Sequence, residues 1–77
     1  MQHILIIEDD KTIAESIAFV LEKDSFSWTW HDNGYDSLDY FNNNQVDLVL
    51  LDVGLPDISG FDVLRKIRSK SNVPVVI

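Results

Sequence analysis

The chain contains no cysteine, which excludes disulfide bridges, thiolate zinc sites and a cysteine nucleophile. Proline and glycine are scarce, two and three in 77 residues, and neither a linker nor an internal repeat interrupts the sequence. No apolar run approaches the ~18–20 residues of a membrane span. Met1-Gln2-His3 lacks the basic start of a secretory signal, so a cytoplasmic protein without membrane contact is expected. Bases are few: six Lys and Arg stand against thirteen Asp and Glu, a net charge of −7. Their placement is uneven. All thirteen acids lie in residues 1–64 beside only Lys11 and Lys23, a balance of −11, whereas residues 65–77 carry Arg65, Lys66, Arg68 and Lys70 and no acid. Direct nucleic-acid binding calls for a broad basic face. A cationic partner, such as a metal ion, fits this chain better.

What is present is an ordinary globular composition, 45% hydrophobic and 25% charged, sufficient for one small and marginally stable domain. His3-Ile4-Leu5-Ile6-Ile7 predicts a strand buried on both faces, stopping at Glu8-Asp9-Asp10. From Thr12 the apolar period changes to that of a helix. Ile13, Ile17, Val20 and Leu21 form the expected stripe, with Ala14 and Ala18 beside them. Asp10 or Thr12 is the expected N-cap, Glu15 standing in capping-box position to Thr12. Residues 26–31 predict a second strand with Trp28 and Trp30 on one face, packed under a helix. Asp32-Asn33-Gly34 supplies turn chemistry, and a short helix over 35–41, burying Leu38 and Phe41, ends in Asn42-Asn43-Asn44. Residues 46–51 predict a third strand, again terminated by an acid, Asp52. A loop then leads to Ser59-Gly60 and a helix over 61–68 that buries Phe61, Leu64 and Ile67 and turns its bases to solvent. Residues 73–77 begin a fourth strand. Strands alternating with helices predict a parallel sheet with helices on both faces.

In such sheets ligands sit at the carboxyl ends of the strands. If the first and third strands are neighbours, Asp9 and Asp52 meet at one edge with Glu8 close by. Carboxylates at that range repel unless a cation intervenes, and oxygen ligands suit Mg²⁺. A lone strand-end acid is a common helix cap, but Asp52 followed by Gly54, Pro56 and Gly60 is too specific for capping alone. His3 and His31 fall at opposite ends of different strands and are expected apart, without a shared metal.

The segments Ile4-Leu5-Ile6-Ile7-Glu8-Asp9-Asp10 and Leu50-Leu51-Asp52-Val53-Gly54-Leu55-Pro56-Asp57-Ile58-Ser59-Gly60 resemble the receiver domain of bacterial two-component response regulators. With Phe61-Asp62-Val63-Leu64-Arg65, the wording is most similar to receivers that control winged-helix transcription factors. The resemblance implies an α/β, flavodoxin-like, doubly wound parallel sheet of order 2-1-3-4, here incomplete. It implies Asp52 as phosphoacceptor nucleophile and Mg²⁺ held by Asp9, by Glu8 directly or through water, by Asp52 and by the Gly54 carbonyl. Asp10 is left to capping; Pro56 and Gly60 shape the loop. A sensor histidine kinase is the implied phosphodonor and transcription the implied output, so the chain itself is not expected to be an enzyme.

A complete receiver continues to a Ser or Thr after the fourth strand and a Lys at the end of the fifth. Residues 1–77 are therefore expected to be the N-terminal part of a receiver, with no effector domain. The fourth strand is then an open apolar edge, inviting instability or pairing with another copy. Rival readings meet obstacles: an aspartate-based phosphatase would need a second acid where Gly54 stands, and a flavin or nucleotide binder would place phosphate against Glu8-Asp9-Asp10. An inert fragment acting only through self-association is the remaining alternative.

Overall fold

The computed structural model describes residues 2–77. Its elements alternate without exception: β1 His3–Ile7, α1 Lys11–Lys23, β2 Ser27–His31, α2 Gly34–Asn43, β3 Leu48–Leu51, α3 Gly60–Arg68 and β4 Val75–Val76. All strand pairs are parallel and the order is β2-β1-β3-β4, as the alternation and the resemblance imply. β1 is central, which explains its unbroken apolar run: Ile4, Leu5, Ile6 and Ile7 are all buried.

Register sorts the side chains. Leu5, Val49 and Val75 share one row, and Ile6, Trp30, Leu50 and Val76 another. Since strand side chains alternate in direction, these rows face opposite sides of the sheet. The first side forms a core of Leu5, Ile7, Val49 and Leu51 with Val63 and Ile67 of α3 and, from α2, the half-buried Leu38 and Phe41. The other side packs Ile4 and Ile6 against Ala14 and Ala18 of α1, flanked by Trp28 and Trp30.

The helix faces differ in detail from the periodicity. In α1 the buried face is Ala14, Ile17, Ala18 and Leu21, while Ile13 and Val20 are exposed. At about 100° per residue, those two lie one step off the centre of the stripe. In α3 Phe61 is 52% exposed and Val63 is buried in its stead. The reason is Gly60. A β-carbon there would lie 2.4 Å from Val53 Cα and 2.7 Å from the Asp52 carbonyl oxygen, so the helix start presses against backbone, and positions 60, 63 and 67 face inward. Strands are also shorter than the apolar runs: residues 26, 46, 47, 73, 74 and 77 fall outside β2, β3 and β4. β4 pairs with β3 alone among the described residues, leaving Val76 54% and Ile77 64% exposed.

The N-terminus of α2 is tied to the loop after β3. Asn33 caps the helix through Asp36 N–H, while the Asp57 carboxylate accepts from Gly34 N–H and Tyr35 N–H, both at 2.8 Å, and from Ile58 N–H at 2.9 Å. Desolvation works to raise the Asp57 carboxyl, but these backbone donors outweigh it and hold it below the usual carboxylate range. A negative group at a helix N-terminus also complements the macrodipole. Because the folded carboxyl is the stronger acid, its contribution is complete above its unfolded pKa and is lost as pH falls through the folded value. Asp57→Ala is therefore expected to destabilise the fold by about 1 kcal/mol at pH 7 in urea titrations. The difference from wild type should shrink below about pH 4; a difference that persists unchanged in acid would contradict the capping role.

Candidate metal and phosphoryl site

Ile7 pairs with Leu51 in the β1–β3 register, so the residues that follow each strand leave the sheet side by side. The ladder runs on for one step: Asp52 N–H donates to the Ile7 carbonyl at 2.9 Å, and Glu8 N–H to the His31 carbonyl at 3.2 Å. Beyond that the chains diverge into α1 and the β3–α3 loop. Glu8, Asp9 and Asp52 each place a carboxylate oxygen so that all three lie within 4.8 Å of one another. Convergence of residues 9 and 52, which the sequence reading required, is thus present.

Each neighbour has a distinct task. Asp10 accepts from Ile13 N–H at 3.1 Å and caps α1, which leaves it out of the cluster as expected and leaves Thr12 and Glu15 without a capping role. Asp10 N–H donates to Glu8 Oε1 at 3.1 Å. Gly54 N–H donates to Asp52 Oδ1 at 3.1 Å. Pro56 is exposed and its peptide bond is trans. Beside the carboxylates a cavity of about 300 Å³ opens between Ile17, Leu50, Val76 and Ile77, with Glu8 and Asp52 on its rim.

Burial first, and like charge after it, act on Glu8. Desolvation is the largest influence on the Glu8 carboxyl and raises it; the Asp10 N–H lowers it; the charges of Asp52, Asp9 and Asp10 raise it further. The net effect lifts Glu8 above the ordinary carboxylate range. Among the described residues the only ion pair is Arg65 with Asp62, on α3, so no protein cation offsets the cluster. Three hard oxygen donors fit Mg²⁺, whose octahedral ligands lie about 2.1 Å from the ion and hence about 3–4 Å apart.

Two groups near the strand ends escaped sequence reasoning. Trp30 does pack beside α1, but its indole Nε1–H also donates to the Glu8 carbonyl at 2.7 Å. His3 and His31 stand at opposite ends of the paired strands, as expected, and the Tyr40 ring packs against both, at centroid distances of 6.0 and 5.5 Å. His3 lies 2.6 Å from Ser27 Oγ, 2.8 Å from Thr29 Oγ1 and 2.9 Å from Tyr40 Oη. The alternation of Ser27, Thr29 and His31 along β2 marks a polar face, which was the available signal; the partner on α2 was not readable.

Residues 4–77 match the family model for the response regulator receiver domain. Over all 77 residues the chain is 40% identical to the sensory transduction protein RegX3 of Mycolicibacterium smegmatis, covering 34% of that protein. Over 75 residues (97% of this chain) it is 40% identical to the transcriptional regulatory protein CseB of Streptomyces avermitilis, covering 32% of that protein. The chain thus spans about a third of the length of the curated relatives it matches. Among solved structures, the response regulator TrrA of Thermotoga maritima in complex with Mg²⁺-BeF superposes with a TM-score of 0.89 at 34% identity, over 92% of this chain and 62% of that one. The complex of the histidine kinase ThkA with TrrA gives 0.91 at 32% identity, over 97% of this chain and 66% of that one. No helix among the described residues is long and apolar enough to cross a membrane. Sheet order, matched sequence and relatives agree: this chain belongs to the receiver domain family of two-component response regulators, and within it resembles the receivers of transcriptional regulators.

Proposed function

We propose that residues 1–77 form the phosphoacceptor part of a response regulator, with Asp52 as the nucleophile and Glu8, Asp9, Asp52 and the Gly54 carbonyl as the protein ligands of Mg²⁺. The observation that carries this reading is the meeting of three carboxylates from two adjacent strand ends, with no ion pair to any of them among the described residues. Asp52 Oδ1 accepts from Gly54 N–H, which leaves Oδ2 to attack phosphorus. In the step itself an Asp52 oxygen forms the new O–P bond while the P–N bond of a phosphohistidine breaks. The nitrogen keeps that electron pair, and Asp52 becomes an acyl phosphate. When bound, Mg²⁺ supplies neutralisation of the clustered carboxylates and of the transferring phosphoryl oxygens. Glu8 and Asp9 hold the ion and orient it toward Asp52. A sensor histidine kinase as donor is supported by the ThkA–TrrA complex, and a transcriptional output by the name of CseB. Phosphorylation would add nearly two negative charges at the end of β3, the lever by which such a switch biases its surroundings.

Incubation with acetyl phosphate and Mg²⁺ should add one base-labile phosphoryl group, seen by intact mass, and Asp52→Asn or EDTA should abolish it. Labelling that survives Asp52→Asn would assign the acceptor elsewhere. The raised Glu8 pKa gives a second expectation. Its folded value lies above its unfolded one, so the associated stability is present at low pH and lost as pH rises through the folded value. Without divalent cations Glu8→Gln should therefore raise Tm at pH 7. Mg²⁺ at 100 times its Kd should stabilise wild type by about 2.7 kcal/mol and Glu8→Gln less. Equal Mg²⁺ responses in thermal melts would count against Glu8 as a ligand.

A further inference from the structure

We infer that Trp30 is a positioning residue for the carboxylate site, its indole N–H fixing the turn from which the Glu8 and Asp9 side chains project. The inference rests on the metal reading above and adds to it a residue outside the ligand set.

Residues 8 and 9 occupy a gap. β1 ends at Ile7 and α1, capped by Asp10, begins at Lys11, so neither element by itself constrains the intervening peptides. β2 does so instead. Glu8 N–H donates to the His31 carbonyl at 3.2 Å, and the Glu8 carbonyl accepts from Trp30 Nε1 at 2.7 Å. Two consecutive residues of β2 therefore grip both backbone polar groups of Glu8, one through main chain and one through a side chain. The indole can reach because Trp30 stands beside Ile6 in the ladder, two residues before its acceptor and on the side packed by α1. It is half-buried, which shields the bond from competing water.

Trp28 provides an internal contrast. It lies on the same face two residues earlier, yet its Nε1 donates to the exposed Glu22 Oε1 at 3.1 Å, far along α1 from the acids. Two chemically identical side chains thus have different tasks: Trp28 closes the surface beside α1, and Trp30 sets the peptide that carries a metal-facing carboxylate. Loss of one such hydrogen bond translates into a several-fold change in an equilibrium, and groups that orient metal ligands commonly change affinity by ten-fold or more.

The test uses Mg²⁺ itself as the probe on the intact protein carrying this chain. In ¹H–¹⁵N spectra the Trp30 indole N–H, assigned in wild type from nuclear Overhauser contacts to its ladder neighbour Ile6, should shift progressively as MgCl2 is added, while the Trp28 indole moves little. By calorimetric titration Trp30→Phe should bind Mg²⁺ about five- to tenfold more weakly than wild type, and Trp28→Phe should bind as wild type does. A stationary Trp30 resonance in a wild type that binds Mg²⁺ overturns the inference without needing the variant to fold. Equal Mg²⁺ affinity in wild type and Trp30→Phe overturns it also, with the metal site left standing. Absence of Mg²⁺ binding to wild type removes the metal site and this inference together.

Discussion

Repulsion held in place by a hydrogen-bonded ladder is the constraint on which this structure turns. The parallel pairing of β1 with β3 in the register Ile7 with Leu51 leaves no freedom for the next residues: Glu8 and Asp52 must emerge together. The ladder is anchored by burial of Ile4 to Ile7 and of Val49 and Leu51, and each large apolar side chain so buried stabilises the fold by about 1.5–3 kcal/mol. That is ample to hold a few carboxylates at close range in water-exposed surroundings, where repulsion between charges is screened. The apolar core thus stores the electrostatic cost that a divalent cation would relieve.

Everything near the site serves that geometry. Gly60 lets α3 start against the backbone of residues 52 and 53, and Asp57 clamps the same loop to the N-terminus of α2. Trp30 and His31 hold Glu8 from the other flank. The segment after β3 is therefore braced on two sides by neighbouring helices, and a change of charge on Asp52 would be felt by α2 and α3 through few intermediaries. On the opposite side of the sheet the small Ala14 and Ala18 draw α1 close to β1, so the helix that follows the acidic turn is itself seated on the core.

Much of the fold was legible because periodicity reports burial. The unbroken apolar run at 4–7 marked a strand covered on both faces, and the alternation of Trp28 and Trp30 with Ser27 and Thr29 marked a strand with two unlike faces. Errors arose where burial is decided by a contact distant in sequence. Phe61 has the hydrophobicity of a core residue, but the close approach of Gly60 to Val53 rotates α3 and hands the position to Val63. Ile13 and Val20 have apolar character at nearly the right spacing, yet α1 is centred on its alanines. Asp57 reads as one more loop acid, and only its proximity to Gly34 and Tyr35, more than twenty residues away, reveals a cap.

By itself the amino-acid order determined the alternation of strands and helices, the termination of two apolar strands in acid, and the family to which those motifs correspond. These are local properties, written in runs of side chains that need no partner to be recognised. The folded chain decided the meeting of Glu8, Asp9 and Asp52, the grip of Trp30 on the Glu8 carbonyl and the enclosure of His3 and His31 around Tyr40. Each of those depends on which strands are neighbours and in what register. Register is a cooperative outcome of packing the whole sheet, and no single segment carries it.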